Sequence, residues 1–517
     1  MTGAEGHDDQ VVELPTLIDR LVHNASSRPD QVALIDARSS VTYRELWRRA
    51  QGAARVLSSA GVGAGDRVLH IGRDETTVYE LLYGVALLGA VLVPVNWRLS
   101  EPEVDYIIDH SQAKLLVSAE ARPGVSGAAI TMTCDDFSAR VAGAGSADWT
   151  AFPATADTPV VQMYTSGTTG FPKGVVLAHR SFFAVRDLLD RSGLDWIDWR
   201  DGDRSLIALG SFHIGGMWWA AQGLNAGITN IILPAFTPDA ALSAIRRQRV
   251  STTCMAPAMI LMLLAEPGVV PADFASLRKV VYGGAPIGAE LLERALATMG
   301  CDFGQIYGLT ETGNTAVCLP PAAHRRPGAP LAAAGYPYPG IELQVRDSRG
   351  NVVSGGESGE VFVRTPARMV EYFRNPEATA QTLVDGWVRT GDAGYLDDDG
   401  LLYLHDRVKD LIIVAGENVY PAEVEKVINT HPAVSDSAVV GVPDQGVGES
   451  VHAVVVATEG ADLTARDLMR FLATRLAGFK LPATVEFTSE IPRNPAGKTL
   501  RRVVRERYWV GRDRNIN

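Results

Sequence analysis

Residues 164–174 read YTSGTTGFPKG and directly follow VVQM, an apolar stretch of strand character at 160–163. Three hydroxyl side chains, Ser166, Thr168 and Thr169, are set among Gly167 and Gly170, with Thr165 ahead of them and Lys173 behind. Glycine lets a backbone turn tightly enough for several N–H groups to converge on one anion. The hydroxyls add donors, Pro172 stiffens the exit and Lys173 brings a positive charge. The string therefore reads as a phosphate-holding loop after a strand. It is not the triphosphatase loop, which needs GxxxxGK followed by Ser or Thr.

Outward from this loop, helical and strand patterns alternate. Upstream, apolar residues at helical spacing predict a helix over 41–57, with Ser39 and Ser40 as its cap. A strand at 67–71 follows, then an uncharged run at 81–95, LLYGVALLGAVLVPV. Its 15 residues fall short of the roughly 20 that span a bilayer. It reads as a buried helix ending near Gly89 and a short strand, and a peripheral membrane contact is left open. A helix at 101–111 and a strand at 114–117 come next, and 119–158 is expected to wander over the surface. A second α/β unit is expected from Val160, with strands at 205–209, 229–233 and 279–282 and a helix at 240–247. From Ile341 to about Leu404 short alternating strands predict a β-rich subdomain. The last hundred residues return to helix–strand alternation, as a compact α+β unit. The expected fold class is thus α/β: layered α/β subdomains plus a β-rich one, then a small C-terminal α+β domain.

The chain has 517 residues, with 60 acidic against 48 basic groups and a net charge of −12. That is poor starting material for a non-specific nucleic-acid binder, whose affinity comes from neutralising phosphates, and leaves room for a small basic pocket. Cys134, Cys254, Cys301 and Cys318 form no CxxC pair, so they suit a reducing compartment and give no zinc or iron–sulfur site. The first residues lack the basic-then-apolar order of a signal peptide, so a cytoplasmic location is expected, with the membrane periphery left open.

Further motifs accompany the loop: FHIGG at 212–216, GGAP at 283–286, YGLTETG at 307–313, GWVRTGD at 386–392, RVKDLIIVAGENVYPAEVE at 407–425 and PRNPAGK at 492–498. In this order, over roughly residues 15 to 505, the sequence resembles the adenylate-forming enzymes, and among them fatty acyl-CoA synthetases most. The resemblance implies an N-terminal domain over 1–408 and a mobile C-terminal lid over 409–517, with ATP, Mg2+, coenzyme A (CoA) and a carboxylic acid bound between them. It also implies two steps: the acid attacks the α-phosphorus of ATP, and a thiol then takes the acyl group from the adenylate.

Residue by residue, Lys498 resembles the lysine that bridges carboxylate and α-phosphate. Thr310 would donate to the α-phosphate and Glu311 would hold Mg2+. Thr165 to Gly170 and Lys173 match the phosphate loop; Gly284, Ala285 and Pro286 match one wall of the adenine site and Tyr307 the stacking ring opposite. Gln305 matches the position that approaches the adenine amino group. Asp392 would accept from the ribose hydroxyls with Arg407 nearby. Lys409 matches the hinge, and Gly416 the thiol channel brought in when the lid rotates. His213 resembles the histidine lining the acyl pocket. Departures are Glu371, Asp406 and Ala415, where glycine is usual in the family.

Amino-acid adenylating relatives hold the substrate ammonium with an Asp after the Phe of FHIGG. Here that position is His213, which disfavours an amino acid, because a desolvated ammonium without a carboxylate is costly. Ile214, Gly215, Gly216, Met217, Trp218 and Trp219 suggest an apolar tail, with the two tryptophans either closing the acyl cavity or packing away from it. A medium- or long-chain fatty acid joined to CoA is the leading expectation. Aryl or other carboxylates, transfer to a separate carrier protein, and a non-enzymatic nucleotide- or lipid-binding protein are the alternatives. A homodimer is left open.

Overall fold

The computed structural model describes residues 14–120, 130–145, 149–165, 172–194, 198–285, 287–325, 330–347, 349–407, 412–419, 421–492, 499 and 501–510. Ser166, Gly167, Thr168, Thr169, Gly170, Pro286, Lys409 and Lys498 lie outside the described residues, as does the boundary expected at 408/409.

Two sheets build the layered part. The first has seven strands, in the order Glu371–Tyr372, Lys173–Ala178, Pro159–Thr165, Val91–Val95, Arg67–Ile71, Leu115–Ser118, Ile130–Thr133. Val91–Val95 is buried along its whole length, as an unbroken apolar run should be when both faces of a parallel sheet are covered. The helix Thr76–Leu88 before it is also buried throughout and stops at Gly89, whose φ of 66° closes the left-handed cap. The uncharged run at 81–95 is thus a core helix and strand. Among the described residues no helix is long and apolar enough to cross a membrane.

The second sheet has nine strands, in the order Tyr336–Pro337, Val317–Leu319, Asp302–Tyr307, Lys279–Gly283, Thr252–Met255, Arg204–Ile207, Thr229–Ile232, Val32–Ile35, Ser40–Thr42. The division expected at Val160 is therefore not how the layers form. Pro159–Thr165 joins the first sheet beside Val91–Val95, and the early strand Val32–Ile35 pairs in parallel with Thr229–Ile232. Parallel neighbours need a long crossover between them, so sequence proximity does not decide which sheet a strand enters.

Two local expectations are also corrected. The early helix is Tyr43–Ser59, and its cap is Thr42, whose hydroxyl accepts from Glu45 N while the Glu45 carboxylate reaches back to Thr42 N. That reciprocal box satisfies two backbone donors, which Ser39 and Ser40 do not do, because Ser40 already belongs to a strand. Within 119–158, Ile130–Thr133 is a strand and Cys134–Gly143 a helix capped by Thr133 on Asp136 N.

The β-rich sheet pairs Glu342–Arg346, Gly359–Arg364, Trp387–Leu396 and Leu383–Val384, with Leu402–Arg407 added on Trp387–Leu396. A further five-stranded sheet contains Ile412–Val414, Glu417–Val419, Val434–Asp444, Gly448–Ala457 and Thr484–Phe487. Helices Pro421–Ile428 and Ala465–Ala473 cover it, closing a core around Ile412, Val424, Ile428, Val439, Leu468 and Leu472. The molecule is a large α/β portion followed by this smaller mixed unit, as its sequence class predicts.

Candidate active site

Strands of both large sheets end at one cavity. Thr165 closes Pro159–Thr165, Gly283 closes Lys279–Gly283, and Asn96, Ala256 and Gly308 each follow a strand end directly. Crevices outside the carboxyl ends of parallel strands are where open α/β sheets bind ligands, because the loops there are free to vary. The small C-terminal unit supplies the opposite wall with Gly416, Glu417, Phe479 and Lys480. Thr165, His213, Gly284, Thr310, Glu311 and Gly416 are brought together here.

The hairpin register sets Thr165 opposite Lys173, so the two ends of the loop at 166–171 are held side by side. Thr310 and Glu311 sit in a single turn after Asp302–Tyr307. Tyr372 donates its hydroxyl to Glu311 Oε1 at 2.6 Å, and the Lys173 ammonium lies 4.8 Å from the centre of the Tyr372 ring. Tyr372 was not legible as a site residue, since only its neighbour Glu371 stood out.

A second group lies along the same strand. Tyr307 donates to Asp392 Oδ2 at 2.7 Å, Asp392 is buried, and its strand register faces Arg407. Gln305 Oε1 accepts from the Tyr282 hydroxyl at 3.0 Å, so its carboxamide is already oriented by the protein. Gly284 has a φ of 80°, and a Cβ there would meet nothing within 4 Å, which leaves the face beside it and Ala285 open.

His213 stands at the N-terminal boundary of the helix Ile214–Asn225 without a side-chain cap bond, and its imidazole meets the small unit. Its Nε2 lies 2.8 Å from Glu417 Oε2; Arg98 donates to Glu417 Oε1 at 3.1 Å and Asn96 to Oε2 at 3.2 Å. Burial alone would lower the His213 pKa, but Glu417 more than offsets it and the imidazole is raised above its ordinary value. Burial would likewise raise Glu417, and His213, Arg98 and Asn96 together hold it below the usual carboxylate range. Asp74, pushed up to about 6 by burial, accepts from Ser211 N at 2.8 Å and Ser211 Oγ at 2.5 Å, which fixes the turn leading into His213. Glu417, Arg98, Asn96 and Asp74 escaped the sequence reading. Glu417 alone left a signal, because it stands in the quoted stretch AGENVY.

Trp218 and Trp219 do not close the cavity. Both are buried in the main core, where Trp219 packs against Trp199 at 5.1 Å between ring centres. Ile214 and Gly215 from the same helix line the cavity instead. Gly216 is required by close approach: a Cβ there would fall 2.3 Å from the Gly210 carbonyl oxygen. Ala415 stands where the family resemblance has glycine and adopts φ 48°, a left-handed conformation costing an alanine about 1–2 kcal/mol.

A second contact also holds the small unit. The Lys480 ammonium contacts Glu103 of the large portion and Glu423 Oε1 at 2.7 Å, while Ala477 N donates to Glu103 Oε2 at 3.1 Å. Burial would raise Glu103, but Lys480 and the Ser100 donors outweigh it and hold it low; burial prevails at Glu423, which is raised. Lys480→Met leaves these carboxylates buried without their cation, a loss of about 3–5 kcal/mol for a buried pair. Faster hydrogen exchange across 475–480 and slower use of the docked arrangement are expected, and unchanged exchange would refute the contact's role.

Residues 21–373 match the AMP-binding enzyme family and 423–498 the AMP-binding enzyme C-terminal domain. The chain belongs to this family, the adenylate-forming acid ligases. It is 51% identical, over 98% of its length and 99% of the relative's, to fatty acid–[acyl-carrier-protein] ligase ScoC of Streptomyces coeruleorubidus. It is 36% identical to long-chain-fatty-acid–CoA ligase FadD13 of Mycobacterium tuberculosis, covering 94% of this chain and 97% of that one. The o-succinylbenzoate CoA synthetase MenE of Bacillus subtilis, at 31% identity, superposes with a TM-score of 0.84 as a double mutant bound to a product analogue (94% of this chain, 97% of that one). In complex with its acyl-adenylate intermediate the same enzyme gives 0.69 (95% and 98%).

Proposed function

We propose that the protein activates a medium- or long-chain fatty acid with ATP and passes the acyl group to a pantetheine thiol. The observation that carries this reading is the cavity itself, where Thr165, Thr310 and Glu311 at the strand ends meet Gly416 and Glu417 of the small unit.

In the first step the acid's carboxylate oxygen bonds to the α-phosphorus and the bond to pyrophosphate breaks. Nucleophile and target are both anionic, so the protein's task is to supply positive charge and aimed dipoles. Thr165 and the loop it starts would hold the phosphates with Lys173, Thr310 would donate to the α-phosphate, and Lys498 would bridge the reacting oxygens. Asp392 would take the ribose, with Arg407 beside it. Tyr307 and the wall at Gly284, Ala285 and Pro286 would enclose the adenine, and Gln305 would meet its amino group. Among the described residues no group of three His, Cys, Asp or Glu could hold a metal alone. Glu311, a carboxylate in the cavity wall, would hold Mg2+, which would supply charge neutralisation to the phosphates.

In the second step the thiol sulfur bonds to the acyl carbon and AMP leaves. The docked small unit is the arrangement for this step, in which Gly416 would lie beside the thiol path. The higher similarity to MenE with a product analogue supports that assignment.

A carrier protein's pantetheine arm is favoured as acceptor by the full-length likeness to ScoC. CoA is the second reading, favoured by the likeness to FadD13. Incubation with a panel of acids, ATP and Mg2+ is expected to give acid-dependent pyrophosphate exchange, with thioester forming on an added holo-carrier protein. Faster thioester formation on CoA would assign CoA instead. Absence of exchange with every acid would favour a nucleotide- or lipid-binding protein.

A further inference from the structure

Asn314 lines the cavity three residues after Glu311, and 8% of its surface is exposed. Its Nδ2 is buried and finds no hydrogen-bond partner among the described residues. Its backbone is held at φ 84°, a conformation that Asn tolerates better than most residues, by the Asn314 N–H to Leu309 carbonyl bond at 2.9 Å. A Cβ on Gly215 would sit 3.7 Å from Asn314 Oδ1, so the carboxamide lies across the cavity wall from the residue two places after His213. The turn thus holds, in an unfavourable backbone conformation, a carboxamide in the wall of the cavity, with its oxygen toward Gly215 and its amide nitrogen unsatisfied.

A saturated tail offers this amide nothing but C–H groups. Leaving a buried donor unpaired is far more costly than losing an average hydrogen bond, which is why polar sites reject analogues lacking the matching group. We infer that Asn314 is a specificity-determining residue that selects acids carrying an oxygen substituent close to the carboxyl group, such as 3-hydroxy fatty acids. A hydroxyl both donates and accepts, so it satisfies the carboxamide in either orientation. This inference rests on the acid-activating function proposed above and adds the class of acid.

Pyrophosphate exchange with decanoate, 3-hydroxydecanoate and 9-hydroxydecanoate tests it. The unaltered protein is expected to favour 3-hydroxydecanoate over the other two by about ten- to a hundredfold in kcat/KM. Asn314→Gly removes the amide and Asn314→Asp removes the donor, and both residues accept a positive φ. Both variants should lose the preference, the Gly variant by gaining rate on decanoate, because no unpaired amide is left to bury against the tail. Brisk exchange that ignores the 3-hydroxyl, or a preference that survives in both variants, overturns the role of Asn314 alone. No exchange with any acid overturns the acid-activating reading and this assignment with it.

Discussion

Lys498→Ala is expected to slow acyl-adenylate formation by about 100- to 1,000-fold, the size of effect seen when one charge-stabilising donor is lost from a preorganised site. The carboxylate and the triphosphate repel one another as they approach, and the bridging ammonium proposed for Lys498 would offset this repulsion. Transfer from supplied acyl adenylate to a thiol has no such requirement, since the acid has already lost its charge. Pyrophosphate exchange should therefore collapse while thioester formation from the adenylate is nearly retained. Equal losses in both half-reactions would refute the assigned role.

The reverse split is expected for Glu417→Ala. Glu417 is 5% exposed and joins His213, Arg98 and Asn96 across the cleft, so truncating it removes the tie between the small unit and the site. Breaking a largely buried pair costs about 3 kcal/mol, which is roughly a hundredfold on the docked arrangement and hence on the thiol step. Adenylation is expected to be spared or faster, because undocking is favoured. The same pair gives the thiol step a pH dependence. The raised His213 is fully protonated below its ordinary value of 6.5, and the ion pair is lost as pH rises through the raised one. The lowered Glu417 contributes above its ordinary 4.5 and is lost as pH falls through its depressed value. Docking should therefore be firmest between the ordinary Glu417 value of 4.5 and the ordinary His213 value of 6.5, and Glu417→Gln should flatten the alkaline limb. A limb unchanged in that variant would assign it to another group.

The layered fold and most strand positions were legible because buried strands and amphipathic helices carry their period in local sequence, as at 67–71, 101–111 and 279–282. The partition of strands between sheets was not. Nothing near Val32–Ile35 announces that its neighbour is Thr229–Ile232, because that choice depends on which apolar faces meet after crossovers. Thr165, Thr310 and Glu311, which line the cavity, were legible as candidates through the strings around them, whereas Asp392, read in the same way, is not among the cavity-lining residues. Tyr372, Asn96, Arg98 and Asp74 act through contacts made in space and sit in unremarkable local sequence. The two tryptophans misled for a related reason: a helix shows which residues are apolar, but its neighbours decide which face looks into a cavity. Asn314 was invisible until its backbone conformation and its unpaired amide could be seen together.

The pairing of Leu34 with Asn230 also bears on synthesis. A growing chain exposes the apolar strand Val32–Ile35 long before the segment that will flank it has left the ribosome, a gap of ~10–40 s at ordinary elongation rates. The N-terminal portion therefore cannot finish folding piece by piece from its start, and a cut near residue 200 would leave two fragments that each lack a wall of their own core.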